Sequence, residues 1–191
     1  MTAVERRQGF GHPCSFHIHD PERIFDVLDL KEGTSFLDLG CGTGAYSRLA
    51  ARRIGPSGKV FALDRRGDLL RSLRDEAAEE GLTQLAVVVA DITEPLPVAD
   101  ETVDVCFLCT VLHSFREEKD RSALFGEMRR VLKSGGRAAV VECRKGRTDF
   151  GPPERWRLSE EAVDDLAVGA GLRKVSTTDL GLTFLALHEK T

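Results

Sequence analysis

Apolar residues run almost unbroken through five short stretches of the chain: Ser35–Leu39, Lys59–Asp64, residues 85–91, Val103–Cys109 and residues 137–143. Continuous runs of this length, without strict alternation, predict strands covered on both faces. Between them the pattern changes to a helical period. Asp20-Pro21-Glu22 carries the signature of a helix start, and Ile24, Phe25, Val27 and Leu28 follow before a stop near Gly33. A second helix from about Gly44 holds Tyr46, Leu49, Ala50 and Ile54 and ends at Gly55-Pro56. Residues 68–80 place Leu70, Leu73 and Ala77 on one side. Residues 119–133 repeat the pattern with Leu124, Met128, Val131 and Leu132, and Gly135-Gly136 is expected to break that helix before the fifth strand. Strands alternating with helices predict parallel βαβ units.

The end of the chain departs from this alternation. Residues 159–169 predict a helix capped by Ser159, with Val163, Leu166 and Ala167 facing inward. Residues 172–180 and 182–188 predict two strands with only Gly181 between them. So short a link forces an antiparallel hairpin, because a parallel crossover needs about a dozen residues. The first strand is polar and the second apolar, which puts the last strand inside the sheet and its partner at the edge.

Length and composition narrow the setting. A chain of 191 residues with 41% hydrophobic and 30% charged content is expected to form one globular domain. Its net charge of −4 gives no global basic surplus that would make nucleic acid or an anionic membrane an obligatory partner. Residues 1–9 lack the apolar core of a signal peptide, and no apolar run is long enough to span a bilayer. The five cysteines, an odd number in a chain of this size, do not form a disulfide framework. These features predict a cytoplasmic protein with reduced thiols.

The chemistry is concentrated in Phe36-Leu-Asp-Leu-Gly-Cys-Gly-Thr-Gly44, a strand ending in a glycine turn that opens a helix. Residues without a β-carbon let a ligand lie against the backbone, and the helix start offers free N–H groups. The turn Gly40-Cys-Gly-Thr-Gly-Ala45 also fits a loose dinucleotide pattern, with Asp64 in the range of a ribose-binding acid. Three features weigh against a nicotinamide enzyme. Asp38 would be repelled by a pyrophosphate but favoured beside a cationic amino group. Gly44 makes the turn tighter than dinucleotide spacing needs. The terminal hairpin is foreign to the standard dinucleotide fold.

Five motifs together resemble the class I S-adenosylmethionine-dependent methyltransferases. They are Leu37-Asp-Leu-Gly-Cys-Gly-Thr-Gly44, Ala62-Leu-Asp64, Ala90-Asp91-Ile92, Val103-Asp-Val-Cys-Phe-Leu-Cys109 and Met128-Arg-Arg-Val-Leu-Lys-Ser-Gly-Gly136. The likeness runs from about Pro21 to His188 and is nearest to the small type 11 branch of ubiquinone/menaquinone-biosynthesis-like enzymes. It implies a three-layer, doubly wound α/β fold with a seven-stranded sheet in the order 3-2-1-4-5-7-6, the last strand antiparallel. It also implies S-adenosylmethionine as cofactor, and a single domain in which residues 1–20 form a lid over a core at 21–191. By analogy Asp38 and the backbone around Gly40, Cys41, Gly42 and Cys109 hold the methionine moiety. Asp64 would take both ribose hydroxyls. Asp91 would take the adenine amino group, with Ile92 and Arg65 flanking the ring.

Candidates for the chemistry lie around the same strand ends. His113, after the fourth strand, is placed either to act as a base or to pack within its loop. His17 and His19 precede the first helix, in the region that folds over the cofactor in the family; alternating histidines can also supply half of a metal site, but no matching cluster accompanies them, and none is assigned. The basic segment 144–157, with Arg144, Lys145 and Trp156, is expected to be either a substrate lid favouring an anionic or aromatic acceptor or a solvated loop. Cys106 and Cys109 face opposite sides of a strand and do not form a metal or redox pair. Pro13-Cys14 stands in the wrong place for the nucleophile of cytosine-C5 methyltransferases. The Asn/Asp-Pro-Pro-Tyr motif of amino-methylating enzymes and the arsenite-methyltransferase cysteines are absent. The expected activity is methyl transfer to a small molecule, with a protein or RNA acceptor left open. The alternatives are a nicotinamide-dependent oxidoreductase and a non-catalytic, cofactor-binding partner subunit.

Overall fold

The computed structural model describes residues 15–146 and 151–191. Pro13-Cys14, most of the expected N-terminal lid and residues 147–150 of the basic segment lie outside the described residues.

Asp20 caps the first helix, α1 (Pro21–Val27), by accepting from the backbone N–H groups of Glu22 and Arg23. The helix stops at Val27, short of the expected Gly33, and the chain turns through Asp29 at φ 54°. The parallel strands are β1 (Ser35–Leu39), β2 (Lys59–Asp64), β3 (Leu85–Val89), β4 (Val103–Cys109) and β5 (Leu132–Cys143). Helices α2 (Ala45–Ile54), α3 (Gly67–Glu79) and α4 (Glu118–Val131) connect them. Helix α5 (Glu160–Gly169), capped by the Ser159 hydroxyl, leads to the hairpin of β6 (Leu172–Asp179) and β7 (Thr183–Lys190).

The seven strands form one sheet in the order β3-β2-β1-β4-β5-β7-β6, with β7 antiparallel to both neighbours. The hairpin behaves as the side-chain pattern requires. Apolar β7 is buried between β5 and β6, and Arg173 and Lys174 of edge strand β6 face water. Two cores sandwich the sheet. On one face Leu37, Leu108 and Val140 meet Phe125, Met128 and Val163. On the other Phe36, Phe107 and Val141 meet Phe25, Tyr46 and Ile54. Cys106 belongs to the first core and Cys109 packs against the second, as the alternation of a strand demands.

Two boundaries differ from the sequence expectation. Strand β3 ends at Val89, so Asp91 stands in the following turn. Helix α4 ends at Val131, and Leu132 already pairs with Val103 of β4; the next partner pair is Val105 with Arg137. Gly135-Gly136 is therefore an irregularity inside a long strand and not a break before it. Gly135 adopts φ +73°, and a β-carbon on Gly136 would lie 2.8 Å from the Lys133 carbonyl oxygen. Only glycines let the extra residues loop out while the ladder resumes.

Candidate active site

The three glycines after β1 have different duties. Gly40, Gly42 and Gly44 all sit at positive φ, where a side chain is strained. A β-carbon on Gly40 would meet Val111 at 2.8 Å, and one on Gly44 would meet Leu73 at 2.3 Å. Those two positions are fixed by packing. Around Gly42 nothing lies within 4 Å of that point, which leaves room for a ligand against the backbone. The turn is tied to β2 by the Gly40 and Cys41 N–H groups, which donate to the Leu63 carbonyl at 2.8 and 3.0 Å.

Three carboxylates mark the ends of β1, β2 and β3. Asp38 is 3% exposed, and burial pushes its carboxyl up to about 7. The Ser47 hydroxyl, donating to it at 2.5 Å, opposes that rise, while the charge of Asp64 adds to it. Among the described residues no cation pairs with this buried acid. Asp64 accepts from the Gly42 N–H at 2.9 Å and the Arg66 N–H at 2.8 Å, so it braces the glycine turn. Asp91 accepts from the Thr93 N–H and hydroxyl, and these bonds, with Arg65 nearby, hold its carboxyl below the usual range.

A cleft of about 460 Å³ joins these groups to the loop after β4. Gly40, Asp64, Arg65, Asp91 and Ile92 line one end, and Thr110, Val111, Phe115 and Arg116 line the other. Asp38, Cys41, Gly42 and Cys109 lie in the turn and strand end behind this wall. Burial raises the Cys41 thiol far above its ordinary value, so it stays protonated. Thr110 holds φ 54°, an uncommon conformation for a non-glycine residue and a mark of a constrained site.

His113 finds a partner that the sequence reading missed. Its Nδ1 lies 3.0 Å from a carboxylate oxygen of Glu142, and its backbone N–H donates to the other oxygen at 3.3 Å. Glu142 is fully buried at the end of β5. The signal was present: it is the one charge in the apolar run Ala138–Cys143. The N-terminal histidines separate. His17 is exposed. His19 uses both ring nitrogens, 2.7 Å from the Tyr46 hydroxyl and 2.9 Å from the Thr183 hydroxyl, and burial lowers its pKa to about 4. It ties the N-terminal segment to α2 and the hairpin.

The expected basic lid is also divided. Arg144 pairs with Glu160 at 2.5 Å and Asp179 at 3.3 Å, and its guanidinium lies over Phe184. Both ion pairs tie its charge to the fold. Lys145 is exposed. Trp156, in the 3-10 turn Glu154–Trp156, is half-buried and stacks with Arg116.

The arrangement fits S-adenosylmethionine. The open face at Gly42 accommodates a ligand, buried Asp38 suits an ammonium group, and two further acids at neighbouring strand ends suit hydroxyl and amino donors. Comparison with known proteins points the same way. Residues 30–177 match the family described as Methyltransferase domain. The chain is 34% identical over 141 residues to a ubiquinone/menaquinone biosynthesis C-methyltransferase UbiE of Bordetella avium, covering 73% of this chain and 53% of that protein. It is 32% identical over 149 residues to a nocamycin O-methyltransferase of Saccharothrix syringae, covering 78% and 48%. The chain thus spans about half the length of these relatives. The crystal structure of a SAM-dependent methyltransferase from Aquifex aeolicus superposes with a TM-score of 0.83 at 27% identity, covering 94% of both chains. These matches decide the cofactor in favour of S-adenosylmethionine over a nicotinamide dinucleotide, and the chain belongs to the class I S-adenosylmethionine-dependent methyltransferases, in their type 11 branch.

Proposed function

We propose that this domain transfers a methyl group from S-adenosylmethionine to a small-molecule acceptor. The observation that carries the reading is the continuity of the cleft, from the acids closing β2 and β3 to the loop after β4 that holds His113. Asp38, with the turn backbone at Gly40, Cys41 and Gly42 and the strand end at Cys109, would hold the methionine end of the cofactor. Asp64 would take the ribose, and Asp91, Arg65 and Ile92 the adenine. When bound, S-adenosylmethionine supplies a sulfonium methyl that needs no further activation. The protein's own task is to align the acceptor and exclude water.

His113, in the loop whose Val111, Ser114 and Phe115 line the cleft, would remove an acceptor proton. With Nδ1 facing the Glu142 carboxylate, the neutral ring carries its hydrogen there and leaves Nε2 as the proton-accepting nitrogen. Glu142 thereby acts as a positioning residue. His17, exposed on the turn Ser15–Ile18, would be the N-terminal histidine to approach an acceptor in a single-domain enzyme. Lys145 and Trp156 belong to the opposite cover, after β5. Among the described residues no helix is long and apolar enough to cross a membrane. Among the described residues Cys41, Cys106 and Cys143 keep free thiols, which supports a reducing, cytoplasmic setting.

Calorimetry tests the reading. S-adenosylhomocysteine is expected to bind with one-to-one stoichiometry and NADH and NADPH to give no heat. Binding of a nicotinamide dinucleotide without S-adenosylhomocysteine would overturn it.

A further inference from the structure

We infer that the acceptor carries a carboxylate and that Arg116, lying over Trp156, receives it. The inference rests on the methyl-transfer reading and assigns a substrate class to the same cleft. The sequence places the basic character of this face in the segment after β5. In the structure the cation that reaches the cleft from that side is Arg116, from the loop after β4.

Its guanidinium carbon lies 3.6 Å from the centroid of the Trp156 ring. At that distance the cation lies over the indole ring, which attracts it and restricts its motion. The N–H donors lie in its plane and stay available as a fork matched to a carboxylate.

The other arginines here are committed. Arg144 is paired with Glu160 and Asp179 and Arg66 with Asp68 at 3.1 Å, while Arg65 lines the opposite, Asp91 end of the cleft, where it would flank the adenine. Among the described residues no carboxylate oxygen comes within ion-pair distance of Arg116. A second guanidinium, that of Arg155, lies 4.6 Å from the same indole ring. Two like charges gathered on one ring repel each other, and a bound anion relieves that repulsion. Asp120 lines the same cleft and opposes a second anionic group, which favours an acceptor with a single carboxylate.

Position in the sheet separates this pair from the cofactor end. Strand β1 lies between β2 and β4, so Arg116 and Trp156 stand over the β4–β5 half, across from Asp64 and Asp91. The carboxylate would anchor the acceptor on the same side as His113, three residues before Arg116.

Trp156 is the only tryptophan, so its emission reports on this place alone. Protein saturated with S-adenosylhomocysteine is titrated with 3- and 4-hydroxybenzoate and with the matching hydroxybenzamides. The hydroxybenzoates are expected to change the emission and bind about tenfold or more tightly than the amides, the value of one charge-assisted, bidentate contact. Arg116 is exposed, so Arg116→Gln should fold normally, lose that preference and keep its affinity for S-adenosylhomocysteine. Equal affinity for acid and amide, no emission response to either acid, or a preference surviving in R116Q would each overturn the assignment. Failure of S-adenosylhomocysteine to bind is a separate result that overturns the methyl-transfer reading itself.

Discussion

Asp38→Asn should make the cofactor-free protein more stable while weakening its hold on the cofactor. Asp38 is buried beneath the glycine turn, with the Ser47 hydroxyl as its hydrogen-bond partner among the described residues. Its carboxyl ordinarily titrates near 3.8 and is pushed up to about 7 in the fold, which corresponds to about 4 kcal/mol of lost stability once it is ionised. The sign follows from the proton count. Below 3.8 the group is neutral in both folded and unfolded chains and costs nothing. As pH rises toward 7 the unfolded chain gives up its proton more readily than the folded one, so stability falls; above 7 the loss is complete. Asparagine has nearly the same shape, can still accept from Ser47, and does not ionise.

The assay is calorimetric unfolding of both proteins without cofactor at pH 5, 6.5 and 8. One kcal/mol moves the midpoint of a domain this size by about 2–4 °C, so D38N should unfold on the order of 10 °C higher at pH 8, with the gap closing toward pH 4. In the same proteins S-adenosylhomocysteine, whose amino group supplies the missing cation, should bind D38N about 10–100-fold more weakly. D38N unfolding together with the wild type at pH 8 would refute the idea that this acid is held in reserve for a ligand's positive charge.

Other predictions use the same two readouts or a spectroscopic one. Gly44→Ala forces a β-carbon to within 2.3 Å of Leu73 at φ +74°, and urea unfolding should show a loss of about 2–4 kcal/mol. Gly42→Ala meets nothing within 4 Å, so its stability should drop by only about 1–2 kcal/mol from backbone strain, while calorimetry shows the larger fractional loss in S-adenosylhomocysteine affinity. Nitrogen NMR of the wild type should find the neutral His113 ring protonated on Nδ1, and Glu142→Gln should shift that tautomer balance and lower methyl-transfer kcat about 10–100-fold with KM unchanged. His19 is kept neutral in the fold, with its pKa lowered from 6.5 to about 4. Its contribution is therefore complete above pH 6.5 and lost as pH falls toward 4, and His19→Gln should flatten that limb of the stability curve.

What could be read from the chain alone depends on the range of the interaction that decides each feature. Burial on both faces makes a central strand a nearly continuous apolar run, so Phe36–Leu39 and Val103–Cys109 announce themselves in a few letters. The acids at 38 and 64 are legible for the same reason, because each interrupts or closes such a run just where the chain reaches the edge of the core. Gly135-Gly136 misleads because locally it ends a helix. The ladder with β4, whose partners lie 29 to 32 positions away along the chain, carries the strand through it. The acceptor side is harder still. His113 looks ambiguous until Glu142, 29 positions on, is folded against it. Likewise His19 looks like a base until Thr183, 164 positions on, takes its second nitrogen. A count of charges in residues 144–157 cannot tell that Arg144 is neutralised by Glu160 and Asp179, nor that Trp156 serves an arginine from another loop. The site proposed for the methyl donor consists of one continuous turn and the acids that follow consecutive strands, so it has a local signature. The side chains proposed to meet the acceptor share a surface only after the sheet has brought β4 beside β5, and the chemistry proposed for them resides in those pairings.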